Sequence, residues 1–435
     1  MWRTTVNTLQ TPPRLFRRQL SLLAICSLLL VACSAPDTPT ANAPAAPAAG
    51  DAATAAPASG AAVPAGGDNC ESVTSEIKLG FSTSLTGGTA DLGGGHRKGF
   101  LLAVNEYNAK GGHNGTPVQC IVLDDQTKPD QGVANITRLI DQDRVIGLIA
   151  FTNTGVANAA LKKIQDSEIP LIVPVATGTV ITQQFADQAK NYVFRMSMPD
   201  IFQVGVMMEF LDKNGYTKPA IMHDTTGYGK LGAEDITKAL AAKSLTPVVT
   251  ENFQYGDTDM TGQLTRARNG GADVIMTYAL APELANLLKS LDRLGWYPPV
   301  VGSWTLAQPD MVKFAGIDVV KKFKINMVQS FTVDRDETSK AFNDKVVAAF
   351  GENPVPITAA QAYDATNLFL AALDKAGPDP KAIRDAIEAT DTFKGVTTAP
   401  TKPYDAKDHE AIDQKDMFMA ALQEENGQMR VIKVP

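Results

Sequence analysis

The sequence predicts an α/β protein of two doubly wound lobes, each a parallel β-sheet with helices on both faces. Three observations carry this. From Ile77 onward, short apolar runs alternate with longer amphipathic stretches. The apolar runs are continuous rather than alternating, as expected of strands covered on both faces, which requires parallel sheets flanked by helices. The alternation also runs through the chain twice, with a break near residues 194–200.

The predicted strands are "IKLGF" (77–81), "VQCIVL" (118–123), "VIGLIAF" (145–151) and "IPLIVPV" (169–175) in the first half. "PAIMH" (219–223), "ADVIMTY" (272–278) and "PPVVGS" (298–303) follow in the second. Between them lie helical patterns such as "HRKGFLLAVNEYNAKGG", "QGVANITRLIDQD", "TGVANAALKKIQDSE", "KLGAEDITKALAAKS" and "ELANLLKSLDRLG". Several end in glycine, the residue suited to a left-handed helix cap.

Ligands of such sheets lie beyond the carboxyl ends of the strands. That rule selects the loops 82–95, 124–130, 151–157 ("FTNTGVA"), 175–182 ("VATGTVIT"), 223–232, 278–283 and 302–310 ("GSWTLAQPD"). Five of them run into helices and carry Ser, Thr or Asn near the helix start. Free N–H groups and hydroxyls there suit an anionic ligand group, and they equally suit plain N-capping. For "FTNTG" and "VATG", adjacent in one lobe, the anion reading is preferred. Trp304, alone among small residues past a strand end, reads as a pocket wall rather than a core residue for the same reason.

The 435 residues are ample for two or three domain-sized units. Residues 1–32 carry Arg14, Arg17 and Arg18 ahead of the apolar run "LSLLAICSLLLVA", the pattern of an export signal too short to span a membrane dependably. Small residues leading into Cys33 resemble a bacterial lipobox, so Cys33 is expected to be lipidated and to anchor the protein to a bacterial membrane, facing the periplasm or the cell surface. Residues 33–72 are dominated by Ala, Pro, Gly, Thr and Ser and read as a linker. Removing the four arginines of residues 1–32, which contain no acid, takes the formal charge from −7 to −11. An acidic body disfavours nucleic acid and anionic surfaces as partners. Cys70 and Cys120 remain in an oxidising compartment, where a disulfide or two free thiols are both open and the bridge is preferred.

Other chemistries fit less well. "GYGKLG" (227–232) matches a dinucleotide-binding fingerprint, with Glu251 near the ribose-binding spacing, but "HDTT" separates the strand from the first glycine. No G-x-S-x-G elbow occurs, and His96, His113, His223 and His409 lack ligand-like spacing. Asp124 and Asp125 read as capping or loop acids, because neighbouring strand-end residues face opposite ways. The expectation is no catalytic residue, no cofactor and no metal.

The strand-end loops and their order resemble those of a known family, the solute-binding proteins of ABC importers of the branched-chain amino-acid (leucine/isoleucine/valine) type. The resemblance runs from Ile77 to the C-terminus. It includes "GFSTSLTGGTADLGGGHRKGFLLAVNEYNAKGG", "NTGVANAALKKIQDSEIPLIVPVAT", "NYVFRMSMPD", "HDTTGYGKLGAEDITKAL" and "YGDTDMTGQLTRARNGGADVIMTY". It implies the type I periplasmic binding protein fold, with three crossovers near Arg195, Val328 and Met417. Lobe I would be 73–195 plus 328–416, and lobe II 196–327 plus 417–435.

It also implies a small-molecule ligand, an ABC permease and ATPase complex as partner, and a monomer. A ligand-sensing receptor for a membrane sensor is the alternative within this fold, and a secreted Rossmann-like enzyme is the alternative of another class. In members that bind α-amino acids, hydroxyl and backbone groups of the first lobe hold the carboxylate. The matching positions are Thr154, beside Asn153 in "TNTG", and Val175, Ala176 and Thr177. Tyr228 matches an aromatic that covers the ligand from the second lobe.

The acid that pairs with the ligand ammonium is replaced by Trp304, and two pocket aromatics are replaced by Leu92 and Leu280. An indole cannot neutralise a buried ammonium as a carboxylate does. Glu283 nearby reads as a first-turn helix acid instead. The expected ligand is therefore an aromatic or aliphatic carboxylic acid first, an amino acid bound in a modified way second, and a neutral amide or urea-like compound third.

Overall fold

The computed structural model describes residues 69–398 and 401–434. The predicted signal, the lipidated Cys33 and the linker up to residue 68 lie outside the described residues. The end of the predicted linker is not linker, because Asn69–Ser72 forms a helical turn. A disulfide joins its Cys70 to Cys120, with Cα atoms 5.1 Å apart across a sequence separation of 50. A bridge closing a loop of that length stabilises by about 4 kcal/mol in the chain-entropy account.

Two sheets form the lobes. The first contains β1 Lys78–Thr83, β2 Gln119–Asp124, β3 Gly147–Ala150, β4 Leu171–Val173 and β5 Val193–Arg195. Its spatial order is β2-β1-β3-β4-β5, with every neighbouring pair parallel. Phe81 in the central β1 pairs in register with Val122 on one side and Ile149 on the other.

The second sheet contains β6 Pro219–Asp224, β7 Thr250–Phe253, β8 Val274–Tyr278, β9 Val300–Gly302, β10 Ile325–Gln329, β11 Phe418–Glu425 and β12 Gln428–Lys433. Its order is β12-β11-β10-β9-β8-β6-β7. The last two strands form a hairpin that joins antiparallel, so the second lobe is parallel only from β7 to β10. The reversed order in each sheet creates the switch point at which α/β folds place their ligands.

The chain passes between the lobes three times. It leaves the first sheet after β5, and it leaves the second after β10 to form the helix Pro356–Ala376, whose Phe369 and Leu373 pack with Phe81 and Ile149. It then returns as β11.

One expectation is overturned. The loop predicted over 82–95 ends early, because a helix starts at Ala90 and runs through Gly93, Gly94 and Gly95 to Ala109. Glycine costs a helix about 1 kcal/mol each against alanine, and two glycines here recover it through proximity. A Cβ at Gly95 or Gly99 would collide with Thr358 or the Ala359 backbone on the facing helix. Glycines four residues apart share one helix face, so this face lets the two longest helices of the lobe touch.

Candidate functional site

The first-lobe half of the site forms where β3 and β4 end. Past β3, Phe151 has φ of +78°, a left-handed backbone that a bulky residue adopts only under constraint. The constraint is visible. The Phe151 N–H donates to the Ser82 carbonyl at 2.9 Å, and its own carbonyl accepts from the Ala176 N–H at 3.1 Å. The two strand-end loops are thereby tied together.

Thr154 then opens the helix Thr154–Asp166, with Asn153 at the N-cap accepting from the Gly155 N–H at 2.9 Å. The Thr154 hydroxyl accepts from the Gly178 N–H at 3.1 Å, which leaves its own proton free to donate.

Val175, Ala176 and Thr177 are buried beside it. Their loop is fixed from beneath by Arg195, whose side chain is fully buried. Arg195 Nη1 donates to the carbonyls of Thr177 and Gly178, both at 2.7 Å, and its Nε donates to Glu410 at 2.6 Å. The Ser197 hydroxyl holds the Ala176 carbonyl at 2.7 Å. With the carbonyls pinned to one side, the Thr177 side chain is left without a well-formed hydrogen bond although it is buried.

The second-lobe half is mostly apolar. Thr226 caps the helix Gly227–Ala242, accepting from Gly229 N–H. Tyr228 donates to Ser303 Oγ at 2.5 Å, and Ser303 in turn bonds Thr305 at 2.9 Å. Burial, with Asp200 and Asp224 nearby, holds the Tyr228 hydroxyl well above the usual tyrosine range, so it stays neutral.

Trp304 begins a short 3-10 helix and is 4% exposed. Its backbone is gripped at both ends, its N–H by Gln203 at 3.2 Å and its carbonyl by Gln329 at 3.3 Å. Leu280 is buried, with its N–H on Asp224 at 2.8 Å. Leu92 reaches the same place from the glycine-bearing helix rather than from a loop. Leu92, Val175, Tyr228, Leu280 and Trp304 fall in one contiguous buried cluster, so five of the sequence-predicted residues meet across the lobes.

Of the predicted residues, Asn153 has its side-chain oxygen engaged as a cap, and Glu283 sits in the first turn of the helix Ala281–Arg293, accepting from Gly256 N–H at 3.0 Å. The glycines of "GYGKLG" are packing glycines: a Cβ at Gly229 or Gly232 would strike Asp224 or Tyr278. Asp124 and Asp125 serve loops, accepting from Leu85 N–H at 2.9 Å and from the Ser84 hydroxyl at 2.6 Å.

Sequence reasoning missed Asp200, which follows β5 and opens the next helix fully buried. Its Oδ1 accepts from the Tyr278 hydroxyl at 3.0 Å and from Gln203 at 3.1 Å, while Oδ2 lacks a well-formed partner. Burial pushes its carboxyl up to about 7, with the nearby Thr177 hydroxyl and Arg195 charge acting the other way. Its signal was "MSMPD", a lone acid amid apolar residues just past a strand end.

The lobes are closed on each other at this seam. A Cβ at Gly227 would come within 2.9 Å of Gly155 Cα, and the Thr179 hydroxyl donates across to Asp235 at 2.6 Å.

The comparisons with known proteins agree with this geometry. Residues 76–428 match the family described as "Periplasmic binding protein". The leucine-, isoleucine-, valine-, threonine- and alanine-binding protein of Pseudomonas aeruginosa is 25% identical over 323 residues, covering 74% of this chain and 84% of its own.

Among solved structures, a type 1 periplasmic binding protein from Bordetella pertussis Tohama I superposes with a TM-score of 0.75 at 27% identity, covering 82% of this chain and 100% of that one. The branched-chain amino acid binding protein LivJ of Streptococcus pneumoniae, solved with isoleucine, gives 0.69 at 26%, covering 82% and 99%. These relatives are binding proteins rather than enzymes and belong outside the cytoplasm. The chain is accordingly a member of the periplasmic binding protein family, an extracytoplasmic solute receptor of the type I, branched-chain amino acid class.

Proposed function

We propose that this receptor captures a small carboxylate-bearing solute between its lobes and delivers it to an ABC permease. Thr154, Thr177 and the backbone of residues 175–177 hold the carboxylate, and Tyr228 and Trp304 close over the apolar part. The observation that carries the reading is the pairing of two unlike halves in one buried seam: hydroxyl and backbone groups at a helix start from the first lobe, aromatic surface from the second. A dehydrated carboxylate needs several donors to replace its water, and that side supplies them.

Closure rotates lobe I (73–195 plus 328–416) against lobe II (196–327 plus 417–435). Cys33 carries the lipid that keeps the body near its permease.

Aromatic and aliphatic acids rank first as ligands because Trp304 stands where an ammonium-pairing acid would be. One observation favours amino acids as a second reading. Asp200 is buried beside Thr177 with an oxygen to spare, and could receive the ammonium in place of the missing acid.

A thermal-shift panel tests the ranking, since a ligand at 100 times its Kd adds about 2.7 kcal/mol. Stabilisation by ring-bearing and branched aliphatic acids is expected. Stabilisation by leucine or valine alone, lost in Asp200→Asn, would replace the first reading with the second.

A further inference from the structure

The largest unexplained space beside Trp304 is a cavity of about 440 Å³, within the range of small-molecule sites. It lies where segments of both lobes meet: Trp304 and Gln308 from the second, Val355 and Ile357 from the first, and Phe331 from the strand between them. Trp304 belongs both to this lining and to the buried cluster with Val175 and Tyr228. It is thus a wall shared by the cavity and the seam.

Two polar groups of the lining are unusual. Trp304 is 4% and Gln308 3% exposed, yet Trp304 Nε1 and Gln308 Nε2 have no hydrogen-bond partner among the described residues. An indole nitrogen can only donate, and a buried donor left unpaired is costly. Both groups therefore ask for an acceptor. The charged residues of the lining, Asp334 and Arg430, are opposite in sign, so the cavity favours no net charge in what it takes.

We propose that this cavity is a second compartment of the ligand site, receiving the far end of an elongated solute whose neutral carbonyl oxygen accepts from Trp304 Nε1 and Gln308 Nε2. The proposal rests on Trp304 being a wall of the ligand site, and it narrows the solute to an acid with an apolar middle and a terminal ketone, amide or ester. It also gives the indole at position 304 a task that a carboxylate could not perform, because an ionised acid offers no proton to a carbonyl.

Calorimetric Kd values for heptanoate and 6-oxoheptanoate test this on the purified receptor. The keto acid should bind about tenfold tighter, the worth of one well-placed hydrogen bond. Trp304→Phe, which keeps an aromatic ring and removes the N–H, should bring the ratio below about threefold. Gln308→Leu should also lower it, and decides alone if the tryptophan variant does not fold.

A wild-type ratio near one, no measurable binding of either acid at millimolar concentration, or a ratio unchanged in every variant that folds overturns the compartment. The carboxylate reading fails separately: Thr177→Ala would then leave both Kd values unchanged, whatever their ratio.

Discussion

The two halves of the seam are built on opposite plans. In the first lobe, every group near Thr154 and Thr177 is fixed by backbone hydrogen bonds, a strained Phe151 and a fully buried guanidinium beneath the loop. In the second lobe, Tyr228, Leu280 and Trp304 are held mostly by packing and by a short chain of hydroxyls. Fixed polar donors are what a constant carboxylate requires, because preorganisation removes the cost of ordering them. Apolar walls are where a family can change ligand without rebuilding its anchor. The difference between the halves separates what binds from what selects.

Breaking the rigid half should have the largest effect. Arg195→Leu leaves Glu410 buried without its partner and frees the carbonyls of Thr177 and Gly178. A loss of about 3–5 kcal/mol is expected in chemical denaturation, as for other half-removed buried pairs. A loss below about 1 kcal/mol would show that the loop is held by something else.

The pH response comes next and belongs to the same half. Asp200 carries a carboxyl raised from 3.8 to about 7 by burial. The native state thus holds this proton more tightly than the unfolded chain. Its contribution is whole below about pH 4 and is lost as pH rises through about 7. Urea midpoints measured across that window should fall with rising pH in the wild type and fall less in Asp200→Asn. Parallel curves would remove Asp200 from the account.

Gly227→Ala separates closure from folding. Alanine at a helix start is tolerated or gained by up to about 1 kcal/mol, yet its Cβ would meet Gly155 Cα at 2.9 Å when the lobes close. Unfolding should change little, while ligand affinity falls at least about tenfold, or ~1.4 kcal/mol. Tyr228→Phe is the mildest test, because it removes only the hydroxyl that donates to Ser303. About 1 kcal/mol of stability should be lost, with apolar cover retained.

The fold class was legible because buried parallel strands announce themselves as continuous apolar runs. The strands that escaped notice are those without that signal. β7 is "TENF", with one buried position, and β12 is "QMRVIK", with none. The helix through Gly93–Gly95 was hidden because its glycines answer to a neighbouring helix that sequence does not display. Thr154, Thr177, Tyr228 and Trp304 could be picked out because each sits just past a strand end. Asp200, Gln203 and Gln329 could not, since their parts depend on partners tens of residues away in the chain.

The central claim is that the first lobe clamps a carboxylate, and Thr177 tests it most directly. Its hydroxyl makes no well-formed hydrogen bond within the protein, so Thr177→Ala should fold with little change in melting temperature. Calorimetry with the acid that stabilises the wild type best should then show affinity reduced roughly ten- to hundredfold, the worth of a hydrogen bond to a charged group. An unchanged Kd in a folded Thr177→Ala protein would place the anion elsewhere and contradict the account.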